Sequence, residues 1–323
     1  MKNKGIKILL ATLTTVWVYI FILSQSINAY SSRNARYSNN NDMPKLESAA
    51  VVVKSIDDDK ILFSKNAFET RSIASITKLM TALTFLELKP DLHYVYSIPR
   101  EFFRPEFKTR LRPGMKFTAL DLLYIMLLSS DNVAARCLAD ISGLSEREFV
   151  QMMNLYARRL GLRNTKFADP TGFDMDNVST PYEISLIMQK VLEQPLLSNI
   201  VKTKHFSVSP LNYYYNIDYV NTNRLLHNPD YQTLGGKTGF ISRAGYCLVT
   251  TNRLENGKEV VMVFLGARHK FSRFGDAVRM LTWLNENCEK INSKYSKKTV
   301  NENKEYTITA KENEFGYYTK FNN

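Results

Sequence analysis

The hydrophobic pattern begins with a block. Lys2, Lys4 and Lys7 precede an uncharged apolar run from Ile8 to Leu23, and no charge follows until Arg33. That is the layout of an export segment. Ile27-Asn28-Ala29 supplies a small residue for cleavage, although Ile27 is bulkier than such sites favour. The alternative is an uncleaved anchor, since the uncharged stretch is long enough to span a bilayer. Residues 1–29 are therefore read as a signal peptide or membrane anchor, and residues 30–45, rich in Ser, Asn and Arg, as a linker.

From Ala49 the pattern becomes that of a folded core. Valine-rich Ala49–Ser55, a turn at Asp57-Asp58-Asp59 and a return at Ile61–Phe63 predict a hairpin. A helix is expected from near Ser75 to about Leu88, before Pro90. Thr118 with Asp121, and Ser145 with Glu148, have capping-box spacing; the first helix ends near Ser129 and the second at Gly161. Thr180-Pro181 with Glu183 opens a third helix, after a long loop from Asn164 to Ser179. Strand-like segments surround Gly235 to Gly239, and Tyr246–Asn252 and Glu259–Gly266 flank the hairpin turn Asn256-Gly257. A last amphipathic helix is expected over Phe271–Asn285. Residues 288–323 read as a loose polar tail, with Tyr306–Thr309 as a short strand within it. Strands at both ends with helices between predict one core, residues 46–287: a mainly antiparallel sheet carrying a helical insertion.

Composition narrows the function classes. The chain has 44% hydrophobic and 23% charged residues, which excludes wholesale disorder. Its net charge is +12. Six Lys and Arg against Asp42 alone fall in residues 1–45, and the remaining surplus is spread thinly. No run of basic and aromatic residues or zinc-finger pattern accompanies it, so no nucleic-acid partner is expected. Cys137, Cys247 and Cys288 form no Cys-x-x-Cys, and the four histidines lie far apart without a His-Glu-x-x-His, so no metal site is visible.

Three short motifs carry the candidate chemistry. In Ser75-Ile76-Thr77-Lys78 the hydroxyl and the ammonium are three residues apart and share a helix face. Lys78 is the only charge between Arg71 and Glu87, and desolvation there would lower its pKa toward that of a general base. Taken alone, the pair also fits a capping serine and a snorkelling lysine. Ser130-Asp131-Asn132 sits between two helices, where any of the three could be an N-cap. Lys237-Thr238-Gly239 follows Gly235-Gly236. It is no phosphate loop, because position 231 is Tyr and strand follows instead of helix. On an edge strand, Lys237 and Thr238 would offer a cation and a hydroxyl to an anionic group, and Gly239 would admit that group to the backbone.

The three motifs in this order resemble the signature of penicillin-interacting serine enzymes. Residues 46–287 are similar to low-molecular-mass penicillin-binding proteins, most of all to the D-alanyl-D-alanine endopeptidases. Ala74–Ala82, Asp169–Phe173, Asn221-Thr222-Asn223, Lys237–Ser242 and Gly275-Asp276-Ala277 carry the likeness. The resemblance implies an α+β fold: a five-stranded antiparallel sheet flanked by helices, with an all-helical lobe. It implies Ser75 as nucleophile, Lys78 as general base and Ser130 as proton relay. Asn132, Lys237, Thr238 and Gly239 would bind substrate, and the N–H groups of Ser75 and Phe240 would form an oxyanion hole. The implied substrate is the peptide stem of peptidoglycan, β-lactams would be covalent inhibitors, and no metal or cofactor is needed. The enzyme would be exported, with membrane contact through the N-terminal segment. The larger carboxypeptidases of the family carry an added β-domain, for which residues 288–323 are too few.

The same residues serve an endopeptidase and a D-alanyl-D-alanine carboxypeptidase, so both readings stand. Asp131 has the acidic middle residue of many β-lactamases. Yet no Glu occurs between Glu148 and Glu183; the loop there offers Asp169, Asp174 and Asp176. A β-lactam is therefore expected to acylate Ser75 and leave slowly. A non-catalytic wall-binding scaffold is the reading from another class, and it would need neither Ser75 nor Lys78.

Overall fold

The computed structural model describes residues 43–298, with side chains through residue 287. The export segment, most of the linker and the tail beyond Lys298 lie outside the described residues. Strand β1 (Ala50–Ser55) turns back through β2 (Ile61–Lys65), as the alternation predicts. A two-residue strand β3 (Arg71–Ser72) leads into the helical region: α1 (Lys78–Glu87), a small strand pair β4 (Val95–Ser97) and β5 (Lys116–Thr118), α2 (Ala119–Ser129), α3 (Asn132–Ile141) and α4 (Glu146–Arg159). Then come β6 (Val178–Ser179), α5 (Pro181–Glu193), α6 (Pro195–Lys202) and the hairpin β7 (His205–Val208) and β8 (Ile217–Val220). Three long strands, β9 (Gln232–Ile241), β10 (Gly245–Arg253) and β11 (Glu259–Ala267), precede α7 (Ser272–Lys298).

The main sheet has the order β2-β1-β11-β10-β9, antiparallel throughout, so the first hairpin closes against the last strand. Its period-2 alternation sends residues to both faces. Ala50 and Val52 join the core shared with the helical region, whereas Val51 and Val53 pack with Phe274, Met280 and Leu284 of α7. β9 is the edge strand, as expected for Lys237-Thr238-Gly239, and it runs unbroken through all five residues from Gly235 to Gly239.

Local chemistry sets the helix starts. Thr118 Oγ1 accepts from the Asp121 N–H at 3.1 Å and Ser145 Oγ from the Glu148 N–H at 3.3 Å, completing both capping boxes. Such caps are worth about 1 kcal/mol each. Three boundaries differ from the sequence reading, one of them the start of α1 at Lys78, after a 3-10 turn over Ala74–Thr77. α6 was not expected; Gln194 ends α5 in an extended conformation and Pro195 starts a new helix at its first position. α7 continues to Lys298 instead of ending near Asn285. Among the side chains described, Leu284 is its last buried residue, which ends the amphipathic signal, but the Lys- and Glu-rich continuation has good helix propensity. Among the described residues no helix is long and apolar enough to cross a membrane.

Candidate active site

The nucleophile motif does not open an α-helix. Ser75 lies in a tight 3-10 turn, Ala74–Thr77, and α1 begins at Lys78. Ala74 has φ +48°, a sparsely populated conformation for a residue with a side chain. Thr77 Oγ1 donates to the Ala74 carbonyl at 2.8 Å and fastens the turn. Positions three apart eclipse in such a turn, which sets Lys78 beneath Ser75. Gly172, at φ +78°, presses on it from the opposite loop: a Cβ there would stand 2.1 Å from the Ala74 oxygen.

Lys78 is wholly buried, because residues Lys78 to Phe85 of α1 are buried all round. Its Nζ reaches three oxygens: Ser75 Oγ at 3.0 Å, Asn132 Oδ1 at 2.6 Å and the Thr171 carbonyl at 2.5 Å. Desolvation lowers its pKa to about 7, against the opposing fields of Asp169 and Asp131. Loss of one proton leaves two N–H donors and one lone pair. The donors suffice for Asn132 and Thr171, and the lone pair then accepts the Ser75 hydroxyl.

Ser130-Asp131-Asn132 forms the junction of α2 and α3. Ser130 takes a left-handed conformation, φ +64°, at the end of α2. Asp131 is the N-cap of α3: its Oδ1 accepts from the Ala134 N–H at 3.0 Å, and Oδ2 accepts from Thr109 Oγ1 at 2.6 Å. Burial pushes the Asp131 carboxyl up despite these bonds. The acidic middle residue thus has a structural task that aims Ser130 and Asn132 at the cleft.

On β9, Lys237 is 1% exposed and donates to Ser130 Oγ at 2.7 Å and to the Thr238 carbonyl at 2.9 Å. Burial, then the positive fields of Lys78 and Arg273, holds its pKa well below the ordinary lysine value. Lys237 thus contacts the Ser130 hydroxyl, a partner that sequence reasoning did not give it beside the substrate anion. Thr238 Oγ1 donates to Thr222 Oγ1 at 2.7 Å. Gly239 packs against the nucleophile turn: a Cβ would meet the Ile73 oxygen at 2.9 Å and Ser75 N at 3.1 Å. This close approach sets the Phe240 main chain beside Ser75, while the Phe240 ring lies outside, stacked on Tyr246. Ser75, Lys78, Ser130, Asn132, Lys237, Thr238 and Gly239 thus come together from three separate stretches of the fold.

Several residues given no role from sequence support the site, Asp169 among them although it was named as a loop carboxylate. Asp169 orders the loop that delivers the Thr171 carbonyl: its Oδ1 accepts from Thr171 N at 2.7 Å and Gly172 N at 2.5 Å, and its Oδ2 from Asp174 N at 2.7 Å. Thr222 was quoted only within a family phrase and carries no charge to flag it. Arg273 is buried in α7 and donates through Nη1 to the carbonyls of Gly239 at 2.7 Å and Cys247 at 3.1 Å, bracing β9. Cys137 and Cys247 are buried free thiols away from this chemistry.

A serine, two desolvated lysines and a second serine define a site for acyl transfer. A family model of D-alanyl-D-alanine carboxypeptidases matches residues 37–269. The D-alanyl-D-alanine endopeptidase of Pseudomonas aeruginosa is 35% identical over 74% of this chain and 78% of that protein. The D-alanyl-D-alanine endopeptidase of Escherichia coli K12 is 32% identical over 75% and 78%. Among solved structures, the Streptomyces K15 DD-transpeptidase superposes with a TM-score of 0.70 at 28% identity, covering 75% of this chain and 98% of its own. The cefotaxime-bound penicillin-binding protein D2 of Listeria monocytogenes gives 0.67 at 27% identity, covering 76% and 100%. The chain belongs to the D-alanyl-D-alanine carboxypeptidase family of serine peptidases. It is accordingly a hydrolase acting on D-alanyl bonds of peptidoglycan, with the α+β fold that the resemblance implied.

Proposed function

We propose that the chain is a DD-endopeptidase that cuts D-alanyl cross-links through an acyl-enzyme on Ser75. The observation that carries this mechanism is the 3.0 Å contact between Ser75 Oγ and the buried Nζ of Lys78, whose pKa lies near 7. Neutral Lys78 takes the Ser75 proton as Oγ attacks the D-alanyl carbonyl. The N–H groups of Ser75 and Phe240 receive the developing oxyanion. Ser130, oriented by Lys237, gives its hydroxyl proton to the departing amine as the C–N bond breaks, and takes in exchange the proton held by Lys78, which is neutral again. Asn132 holds Lys78 through Oδ1 and has its Nδ2 donor for the substrate amide. Thr238 and Gly239 bind the peptide along β9. Water then attacks the ester with Lys78 again as base; the bond from the acyl carbon to Ser75 Oγ breaks, and Lys78 returns the proton to Ser75 Oγ.

β-Lactams enter the same path and acylate Ser75. Their release is slow in this reading because the loop holds no glutamate, and Asp169, the loop carboxylate whose field reaches Lys78, is engaged by main-chain donors through both oxygens. Residues 46–287 are the catalytic domain in this reading. The segment 1–29 takes it out of the cytoplasm, as a cleaved signal or as an anchor in contact with the membrane.

The endopeptidase assignment rests on the two endopeptidase relatives, and a carboxypeptidase would use the same groups. Purified cross-linked and monomeric muropeptides separate them. Endopeptidase action converts the dimer to monomers; loss of terminal D-alanine from monomers alone would make the enzyme a carboxypeptidase.

A further inference from the structure

In the reading above, the acyl half of the substrate lies over Ser75 and Phe240, and the leaving half lies toward Ser130. Beyond Ser130 and Thr238 the surface does not close. A cavity of about 310 Å³ opens there, lined among others by Lys108, Arg110, Ser129, Asp131, Tyr219 and Thr222. Ser129 and Asp131 flank the relay serine in sequence, and Thr222 is the hydroxyl that holds Thr238 at 2.7 Å. The cavity therefore lies next to Ser130 and Thr238, on the side toward which the leaving half points in this reading. A departing D-alanine ends beside Thr238 and has no use for such a space.

Its chemistry favours an anionic peptide. Lys108 is exposed and has no ion-pair or hydrogen-bond partner among the described residues. Arg110 is exposed too and donates only to the Asp218 main-chain oxygen, at 2.5 Å, so its charge meets no carboxylate. Two acidic groups face the same space. Asp131 is buried and engaged by Ala134 and Thr109; Asp218 is exposed on β8. Tyr219 is 2% exposed, and its hydroxyl has no hydrogen-bond partner within the described structure. Two exposed cations that meet no carboxylate on the rim of a cavity form a recognition surface for an anionic group.

We infer that this cavity seats the second peptide stem of a cross-link, with Lys108 and Arg110 pairing to its free carboxylates. The inference rests on the endopeptidase reading and deepens it: these residues, remote from the nucleophile, set the preference for cross-linked over single stems. Attraction between such exposed groups is screened by salt, so the preference weakens as ionic strength rises.

The test uses the full chain with Lys108→Glu/Arg110→Glu, and with Lys108→Ala/Arg110→Ala as the milder pair. Three rates are measured: cleavage of a purified cross-linked muropeptide dimer, trimming of a monomeric pentapeptide, and acylation by a fluorescent penicillin. Charge reversal is expected to lower kcat/KM on the dimer about tenfold, and the alanine pair about threefold. Penicillin acylation stays within about twofold, since that ligand has no second stem. Salt slows the wild type on the dimer, leaves the alanine pair unaffected and speeds the charge-reversed pair. Unchanged dimer cleavage in both variants, or an equal fall in penicillin acylation, overturns the inference. If the wild type accepts penicillin and trims monomers but leaves the dimer intact, the endopeptidase reading fails and this inference with it. If wild type and variants cut the dimer equally, only the inference fails.

Discussion

Lys78 Nζ lies 3.0 Å from Ser75 Oγ at the buried start of an apolar helix, and the same nitrogen is held by a carbonyl 93 positions away, that of Thr171. The base is thus fixed from both sides before substrate arrives, and its desolvation makes it a base at all.

The first consequence is a pH profile. With Lys78 titrating at about 7, only the neutral form accepts the Ser75 proton. The second-order rate of penicillin acylation should rise about tenfold per pH unit below that point and level off above it. Stopped-flow or gel-based acylation between pH 5 and 9 measures this. A flat profile would contradict the assignment of Lys78 as base.

A second consequence concerns stability. The folded pKa of Lys78 is lowered from 10.5 to about 7, so between those values the unfolded chain binds more protons and stability rises with pH. The cost of the buried charge is fully present below about pH 7 and gone above about 10.5. Lys78→Met should abolish activity yet raise Tm, more at pH 6 than at pH 9. Thermal melts at both pH values check this; a variant that is less stable at pH 6 would contradict it.

The sites where sequence reasoning succeeded and failed follow from range. Asn256-Gly257 and the pairs Thr118/Asp121 and Ser145/Glu148 act within four residues, so their hairpin and helix starts were legible. Ser75 and Lys78 were legible as a pair, but the turn that joins them is 3-10 and packs against Gly172 across the chain, a contact that no local pattern announces. The Thr171 carbonyl, Thr222 and Arg273 reach the site across long separations, and a main-chain oxygen has no residue-type signature. Lys237 looked like a cation for substrate; its burial against Ser130 emerges only once β9 stands beside α2.

Gly172 should be far less tolerant than Gly257. Both have positive φ, +78° and +85°, but a Cβ on Gly257 meets nothing within 4 Å, whereas one on Gly172 meets the Ala74 oxygen at 2.1 Å. Gly257→Ala is expected to cost about 1 kcal/mol and leave acylation unchanged. Gly172→Ala should displace the nucleophile turn and slow acylation about 100-fold. Equal acylation rates in the two variants would contradict the proposed support of Ser75.

Asp169 orders the Thr171 loop and its charge opposes the desolvation of Lys78. Asp169→Asn keeps an oxygen for Thr171 N and Gly172 N while removing the charge. The acid limb of the acylation profile should therefore shift to lower pH. A limb that stays in place or moves upward would contradict the electrostatic coupling.

The central claim is acyl transfer through Ser75, and covalent labelling tests it most directly. Purified protein is incubated with a fluorescent penicillin, and the adduct is located by peptide mapping with mass spectrometry. The account predicts one stable adduct on the peptide bearing Ser75, absent in Ser75→Ala and strongly slowed in Lys78→Met. No adduct on the wild type, or an undiminished adduct in Ser75→Ala, would contradict it.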